Sequence, residues 1–462
     1  MKDELLEKLS NTIQDTCKIE TDLFRKYGVK RGLRNEDHSG VLVGLTTIGD
    51  VVGYEKQPDG TLMAIPGKLV YRGIDIQDLA HGVEKEGRYG FEETAFLLLS
   101  GYLPNSKELC EFSAIINEHM ILRHSQKMNI LQTYSSDIMN MLARTVLQLY
   151  TYDQEPDNTT HLNLVRQSVD LIAKFPAIIA LAYHTKNHYT NNGSLHIRHP
   201  KPNFSMAENF LYMMKGSAGY TPLEVRTLDL CLVLHADHGG GNNSTFTTRV
   251  TSSSGTDTYS SIAAAIGSLK GPLHGGANIK VMDMFQNICE NVSDWKDRAM
   301  VKDYLIKILN KEAHNRKGLI YGIGHAVYTI SDPRAILLKE LARKLAIEKN
   351  RVEQYNFLEL IEELGVEAFM EFKGASVGKR VCANVDFYSG FVYDMIGMPR
   401  EVYTPLFAMS RIAGWAAHRI EELNFESRRI IRPAYKNVGI AKSYVPLSER
   451  GTGSIADSNC NQ

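Results

Sequence analysis

What most limits the fold of this chain is where its hydrophobic periodicities lie. From about residue 76 onward apolar residues recur at helical spacing in segment after segment, among them "FEETAFLLLSGYLP", "SVDLIAKFPAIIALAYHT", "MAENFLYMMKG", "EVRTLDLCLVLHADH" and "YSSIAAAIGSLKG". Clusters of Gly, Pro or Asn separate them, as helix stops require. Strand-like alternation is sparse and sits near the start, where "GVLVGLTTIGDVVGY" and "GTLMAIPGKLVYRG" flank "EKQPDG" as a small hairpin. Residues 1–27 read as a short amphipathic helix with Leu5, Leu6, Leu9 and Ile13 at helical spacing, and "NHYTNNGSLHIRHPKPN" as a polar loop between two helices. The expected fold class is mainly α with a short N-terminal β hairpin. There is no internal repeat and no low-complexity tract. Such a class carries no function by itself.

Bulk properties exclude more than they assign. The chain has 462 residues, enough for roughly two to three domains of ~150 residues. Lys plus Arg number 52 against 53 for Asp plus Glu, a formal net charge of −1, so no global field favours nucleic acid or an anionic membrane. Cys17, Cys110, Cys231, Cys289, Cys382 and Cys460 are scattered without a CxxC pair, which argues against a disulfide framework and fits a reducing compartment. The N-terminal "MKDELLEKLSNTIQD" mixes both charge signs without an apolar centre, and no apolar run approaches the ~20 residues of a membrane helix. The cytoplasm is the expected location.

Chemistry is signalled by histidines set among glycines. In "SIAAAIGSLKGPLHGGAN" the Ala-rich helix should stop near Lys270, with Gly271 after its end and Pro272 barring continuation. His274 then falls in a turn or the first turn of the next helix, where the positive helix end keeps imidazole neutral. Gly275 and Gly276 leave room for a ligand or another backbone. The alternative is a purely structural turn. "LHADHGGGNNSTF" places His235 and His238 around Asp237 at a helix end. HxDH suggests a metal, yet no third ligand follows at metal spacing and HExxH is absent, so the edge of a ligand cleft is the preferred reading and no metal is expected. His184, His188, His196 and His199 are read as solvated loop residues.

"GLIYGIGHAVYTISDPRA" carries a second glycine–histidine turn at Gly322, Gly324 and His325, without the GKS or GKT of a P-loop. Asp332 as cap and Pro333 in the first turn start a helix. Arg334 then projects at its N-terminus, where guanidinium and free N–H groups can both face an anion. The alternative is a surface arginine. Asp386, in "KRVCANVDFYSGFVYDMIG", is either an N-cap or a carboxylate in apolar surroundings, where desolvation makes it a stronger base. Arg411 in "MSRIAGWAAHR" and Arg432 in "RRIIRPAY" stand among apolar residues, costly for an unpaired guanidinium. Three arginines and three histidines of this kind suit a small di- or tricarboxylate.

Taken together and in order, "LHADHGGGN", "GPLHGGAN", "GIGHAVYTISDPRA", "NVDFYSG", "SRIAGW" and "IRP" resemble citrate synthase of the Si type. The similarity includes "GVLVGLT", "KLVYRGIDIQDLA" and "ETAFLLLSGYLP" and spans roughly residues 30 to 440. The resemblance implies a two-domain helical fold: a large domain of residues 1–278 and 391–462, and a small mobile domain of 279–390 that closes over the cleft. It implies a homodimer that condenses acetyl-CoA with oxaloacetate and hydrolyses citryl-CoA, with no permanently bound cofactor, acetyl-CoA and CoA being co-substrates. Asp386 would take a methyl proton, His274 would donate to the thioester carbonyl, and His325 would activate the oxaloacetate ketone. His238, Arg334, Arg411 and Arg432 would hold the oxaloacetate carboxylates, with Arg432 reaching across from the partner. CoA would lie along Leu273, Leu319, Gly322, Ile323, Gly324, Ala326 and Asn384, with Lys379 and Arg380 near its phosphates.

The chain departs from the family pattern twice. Thr329 stands where relatives carry Arg or Lys, and Cys382-Ala383 replaces the usual Pro before "NVD". Cys382 is open to two readings, a reactive thiol near CoA or a packed cysteine. The competing activities are 2-methylcitrate synthase, using propionyl-CoA, and citryl-CoA lyase. Other classes are a metal-dependent hydrolase built on HxDH and a non-catalytic CoA-binding module. The last leaves His274, His325 and Asp386 together without a purpose.

Overall fold

The expected hairpin forms as β1 (Gly49–Lys56) and β2 (Leu62–Tyr71), paired antiparallel from Gly49–Tyr71 to Lys56–Leu62 with a register shift between Val52 and Tyr54. A two-residue β3 (Ile74–Asp75) adds to β2, giving one three-stranded sheet in the order 1-2-3. The structure is a computed structural model of the chain and describes residues 2–35, 39–59, 61–373 and 380–450. Among these described residues the other regular elements are eighteen α-helices and short 3₁₀ turns. None of the helices is long and apolar enough to cross a membrane.

Two long helices form the central packing. His161–Asn191 and Tyr403–Leu423 bury residues on every side for most of their length, the pattern of a helix enclosed by others rather than lying on a surface. Trp415 and Arg411 of the second are among the largest fully buried side chains. Local signals placed most boundaries correctly. Asp332 caps the Pro333–Glu348 helix with Pro333 in its first turn, and the Ala-rich helix ends at Lys270 as expected.

Three readings need correction. The 1–27 segment is two helices, Lys2–Thr16 and Thr21–Lys26, and Leu5, Leu6, Leu9 and Ile13 are exposed in the single chain. The polar segment after His184 is not all loop, because the His161–Asn191 helix runs through "NHYTN" before Asn192 turns left-handed. His184 is therefore a buried helical residue, its Nε2 3.0 Å from the Met213 carbonyl oxygen, and not a solvated one. Polarity of the surrounding letters masked an apolar face that continued beneath them.

The hairpin is the platform of the site. A Cβ at Gly53 would lie 2.5 Å from the Val327 carbonyl oxygen, and one at Gly67 would lie 2.2 Å from that of Ser331. Both strands need glycine so that the 327–331 backbone can rest on them. Gly67 N–H donates to Ser331 O at 3.1 Å, and Tyr328 O–H to Lys68 O at 3.2 Å. At its other end the sheet holds the turn after the Pro222–His235 helix, where the Tyr71 hydroxyl donates to Asp237 O at 3.1 Å.

Candidate active site

Six parts of the chain meet above this platform. The Pro222–His235 helix and its following turn bring His235, Asp237 and His238. The 320–331 loop brings His325, the Pro333–Glu348 helix Arg334, the Val385–Met395 helix Asp386, and the Tyr403–Leu423 helix Phe407 and Arg411. The turn before the Ala277–Asn291 helix brings His274. Two aromatic rings organise the cluster. Tyr328 stacks on His325 at 4.6 Å, meets His238 edge-on at 5.8 Å and has the Arg334 guanidinium over it at 5.8 Å. Phe407 meets His235 at 4.6 Å, His274 at 6.5 Å and the Arg411 guanidinium at 4.7 Å. The His238 and His325 rings are themselves 5.1 Å apart.

The two arginines differ in a way that matters. Arg334 is buried and spoken for, its Nε and Nη2 donating to the two Asp332 carboxylate oxygens at 3.0 and 2.7 Å. This excludes the surface alternative, and Asp332 holds the guanidinium firmly charged against the cost of burial. Arg411 is fully buried, and only its Nε is used, donating to His235 O at 2.6 Å. Its Nη1 and Nη2 have no hydrogen-bond partner among the described residues, and neither do His235 Nε2 and His238 Nε2. Burial pulls Arg411 down to about 10, partly countered by Asp237, so it stays charged at neutral pH. A buried guanidinium edge left unpaired is costly and has the shape of a carboxylate receptor.

The titrations are shifted in directions that suit acid–base work. Burial raises Asp386 to about 6, with Arg334 and Arg411 opposing and Asp332 adding to the shift. Asp386 is not the N-cap of its helix; Asn384 is, its side chain accepting from Asp386 N at 3.0 Å. The carboxylate is thereby released from capping, which favours the second of its two readings. Burial lowers His274 to about 4, with Arg411 adding to the effect, and lowers His325 to about 4, with Arg334 adding. His238 is held well below its ordinary value, first by burial and then by Arg334 and His325. All three histidines are neutral at pH 7. For His274 burial is the larger cause, followed by Arg411, beside the helix start that follows it at Ala277. Gly275 and Gly276 also differ from each other: a Cβ at Gly275 would lie 2.3 Å from Leu269 O, so its space is taken by backbone, whereas Gly276 is less crowded.

The hydrogen bonds of His325 fix its tautomer. Nδ1 accepts from the backbone N–H groups of Val327 and Tyr328, both at 3.1 Å. Its lone pair is occupied there, so a neutral ring carries its proton on Nε2. His274 Nε2 lies 3.0 Å from Ser244 Oγ, which also accepts from Trp415 Nε1 at 3.1 Å and lies 3.0 Å from Asn242 Oδ1. Sequence reading did not find Ser244, Trp415, Phe407 or Tyr328. Ser244 follows the glycines of "LHADHGGGNNSTF", but nothing in the letters ties it to a histidine thirty residues on. Behind His238 lies a buried chain: Asp237 accepts from His418 Nε2 at 3.1 Å, His418 Nδ1 from Arg249 Nη2 at 2.8 Å, and Arg249 pairs with Glu421 and Glu422.

The residues expected to bind CoA form a second region. Gly324 N donates to Cys382 O at 2.8 Å, Asn384 N to Gly322 O at 2.9 Å and Asn384 Nδ2 to Gly324 O at 2.9 Å, with Ile323 bridged to Ala383. This stitch places the Asp386 helix beside the His325 loop. Leu273 is 98% and Leu319 53% exposed, and Ala326 and Arg380 are exposed too. Lys379 lies outside the described residues. Cys382 is buried, 3.8 Å from Tyr328 O, and burial pushes its thiol up to about 12; it is a packed cysteine, not a reactive one. Thr329 is likewise buried. Arg432 is exposed in the single chain, so the burial cost read into its apolar neighbours does not arise there. Among the described residues no three His, Cys, Asp or Glu side chains are grouped so as to hold a metal ion.

A raised carboxylate, two neutral imidazoles and an unpaired buried guanidinium in one helical cleft define an enzyme site for a small carboxylate substrate. The comparisons with known proteins sharpen this. Residues 37–434 match the family model described as citrate synthase, C-terminal domain. The chain is 35% identical over 407 residues to a citrate synthase of Synechocystis sp., covering 85% of this chain and 89% of that one. It is 32% identical over 385 residues to a 2-methylcitrate synthase of Shewanella oneidensis, covering 83% and 92%. Among solved structures, the ternary complex of carboxymethyl coenzyme A and oxaloacetate with citrate synthase from Thermoplasma acidophilum superposes with a TM-score of 0.73 at 30% identity, over 91% of this chain and 99% of that one. The chain belongs to the citrate synthase family and is an acyltransferase-type condensing enzyme.

Proposed function

We propose that the chain condenses acetyl-CoA with oxaloacetate and water to give citrate and CoA, with Asp386, His274 and His325 as the acting groups. The observation that carries the reading is a coincidence in one cluster: Arg411 presents two unpartnered N–H groups where Asp386 is raised to about 6. The first suits a substrate carboxylate, the second a base of useful strength at neutral pH.

In this reading Asp386 accepts a proton from the acetyl methyl group while His274 donates a hydrogen bond to the thioester oxygen, so an enol-like species forms. Trp415 Nε1–H donates to Ser244 Oγ and Ser244 Oγ–H donates to Asn242 Oδ1, which holds the hydroxyl in place beside His274 Nε2. The new carbon–carbon bond forms at the oxaloacetate ketone carbon as His325 Nε2–H gives its proton to the ketone oxygen. Water then cleaves citryl-CoA to citrate and CoA. Each donor aimed at developing negative charge is worth ~3–4 kcal/mol. His238, Arg334 and Arg411 hold oxaloacetate, with Arg432 supplied by a second copy in a homodimer.

Residues 279–390 act as the small domain that closes over the cleft, driven by arginine contacts to oxaloacetate, so that acetyl-CoA binds second and is not merely hydrolysed. We place the enzyme in the cytoplasm, in keeping with its scattered unpaired cysteines. Propionyl-CoA is the competing substrate, and one methylene discriminates by only ~1–3 kcal/mol. Steady-state CoA release with acetyl-CoA and with propionyl-CoA, each with oxaloacetate, tests the assignment. A higher kcat/KM with acetyl-CoA is expected; the reverse order assigns the chain to 2-methylcitrate formation.

A further inference from the structure

A separate cavity of about 130 Å³ lies between three helices, Ile76–Lys85, Pro222–His235 and Pro333–Glu348. Its walls include Leu79, Val83, Leu230, Val233, Leu337 and Leu341. Val233 sits two residues before His235, and Leu337 one turn after Arg334, so the cavity and the carboxylate-binding cluster lie on the same two helices. Its size is close to the ~150 Å³ apolar cavities that stay dry and accept a six-carbon guest.

The mouth is basic. His81, Arg88, Arg226 and Lys344 line it with Glu84 and Glu340 as the rim acids. Lys344 is committed to Glu84 at 2.7 Å, and Arg88 to Glu86 and Glu93 at 2.5 and 2.7 Å. Arg226 is exposed and makes no ion pair among the described residues. Asp229, at the inner end, accepts from Gly90 N and Phe91 N at 2.6 and 3.2 Å, and burial together with Glu92 pushes it toward its neutral form. The site thus has an aliphatic interior and, at its entrance, Arg226, which makes no salt bridge among the described residues and acts on the rim carboxylate Glu84 only through space.

We propose that this cavity binds an aliphatic monocarboxylate of about six carbons, tail between the three helices and carboxylate on Arg226, and that occupancy alters oxaloacetate binding through the two shared helices. The second half rests on the proposed function; the first does not, and the two are measured apart.

Hexanoate is the probe. Calorimetric titration of the full chain should give one equivalent bound, at least tenfold tighter than hexan-1-ol. Arg226→Gln, a surface change that leaves the fold intact, should weaken hexanoate at least tenfold, and Leu341→Trp, filling the cavity, should abolish it. Equal affinity for the alcohol, or hexanoate affinity unchanged in Arg226→Gln, overturns the site, the latter placing hexanoate elsewhere, as in the catalytic cleft. With the site occupied, the oxaloacetate Kd, measured by calorimetry, should move at least threefold, and oxaloacetate should shift the hexanoate Kd by the same factor. An unchanged oxaloacetate Kd overturns the regulatory half alone.

Discussion

The cluster proposed to hold the substrate carboxylates and the region proposed to take CoA are built in opposite ways. His235 and His238 at the end of one helix, Arg334 at the start of another and Arg411 within a third pack against two aromatic rings, with their partners already in place or left unpaired among the described residues. Leu273, Leu319, Ala326 and Arg380 stand on the surface. The first region stores its cost in the fold, as desolvated charge and unpartnered donors. The second stores nothing, and gains its contacts only when a large ligand lies on it. A small dianion needs a receptor that is ready; a long ligand that spreads its contacts along a surface needs only a path.

The largest break in this comparison should come from Asp386→Asn. It should lower kcat about a thousandfold while leaving oxaloacetate affinity, measured by titration, nearly unchanged. Surviving turnover would remove Asp386 as the base. Next is Arg411→Leu. Losing two charge-assisted bonds should raise the oxaloacetate KM about a hundredfold, yet the melting temperature should hold or rise, because the change also removes unpartnered buried donors. A clear loss of stability would show that Arg411 is structural.

The pH response sharpens the same contrast. Since Asp386 is raised to about 6, kcat/KM should fall as pH drops through 6. Stability should fall as well, between pH 6.5 and about 4, because His235, His238, His274 and His325 are depressed in the folded state and take up protons on unfolding in that window. Asp386 works in the other direction, binding a proton in the folded state first, so it offsets part of the loss. Denaturant titrations at several pH values would separate the terms. The smallest effect belongs to the open side: Leu273→Ser should raise the acetyl-CoA KM about threefold and leave stability within ~0.5 kcal/mol.

Much of this was legible in the letters wherever chemistry and local geometry coincide. Asp332-Pro333 announced a helix start, Gly271-Pro272 a stop, and the glycine-flanked histidines a cleft. What stayed hidden was cross-chain pairing. Ser244 behind His274, Phe407 beneath Arg411 and Tyr328 against His325 are contacts that no spacing rule encodes. His184 was misread because its helix continued through polar letters whose apolar face was only apparent once packed. For His274 the letters pointed to a helix start, while the burial that lowers it comes from neighbours in distant segments that no local pattern displays.

Gly53 and Gly67, which let the 327–331 backbone settle on the hairpin, join residues more than 250 positions apart in the chain. Closing so long a loop is entropically slow relative to forming helices. During synthesis or refolding, helical signal should therefore return well before catalytic competence, with the oldest part of the nascent chain waiting for a loop made much later.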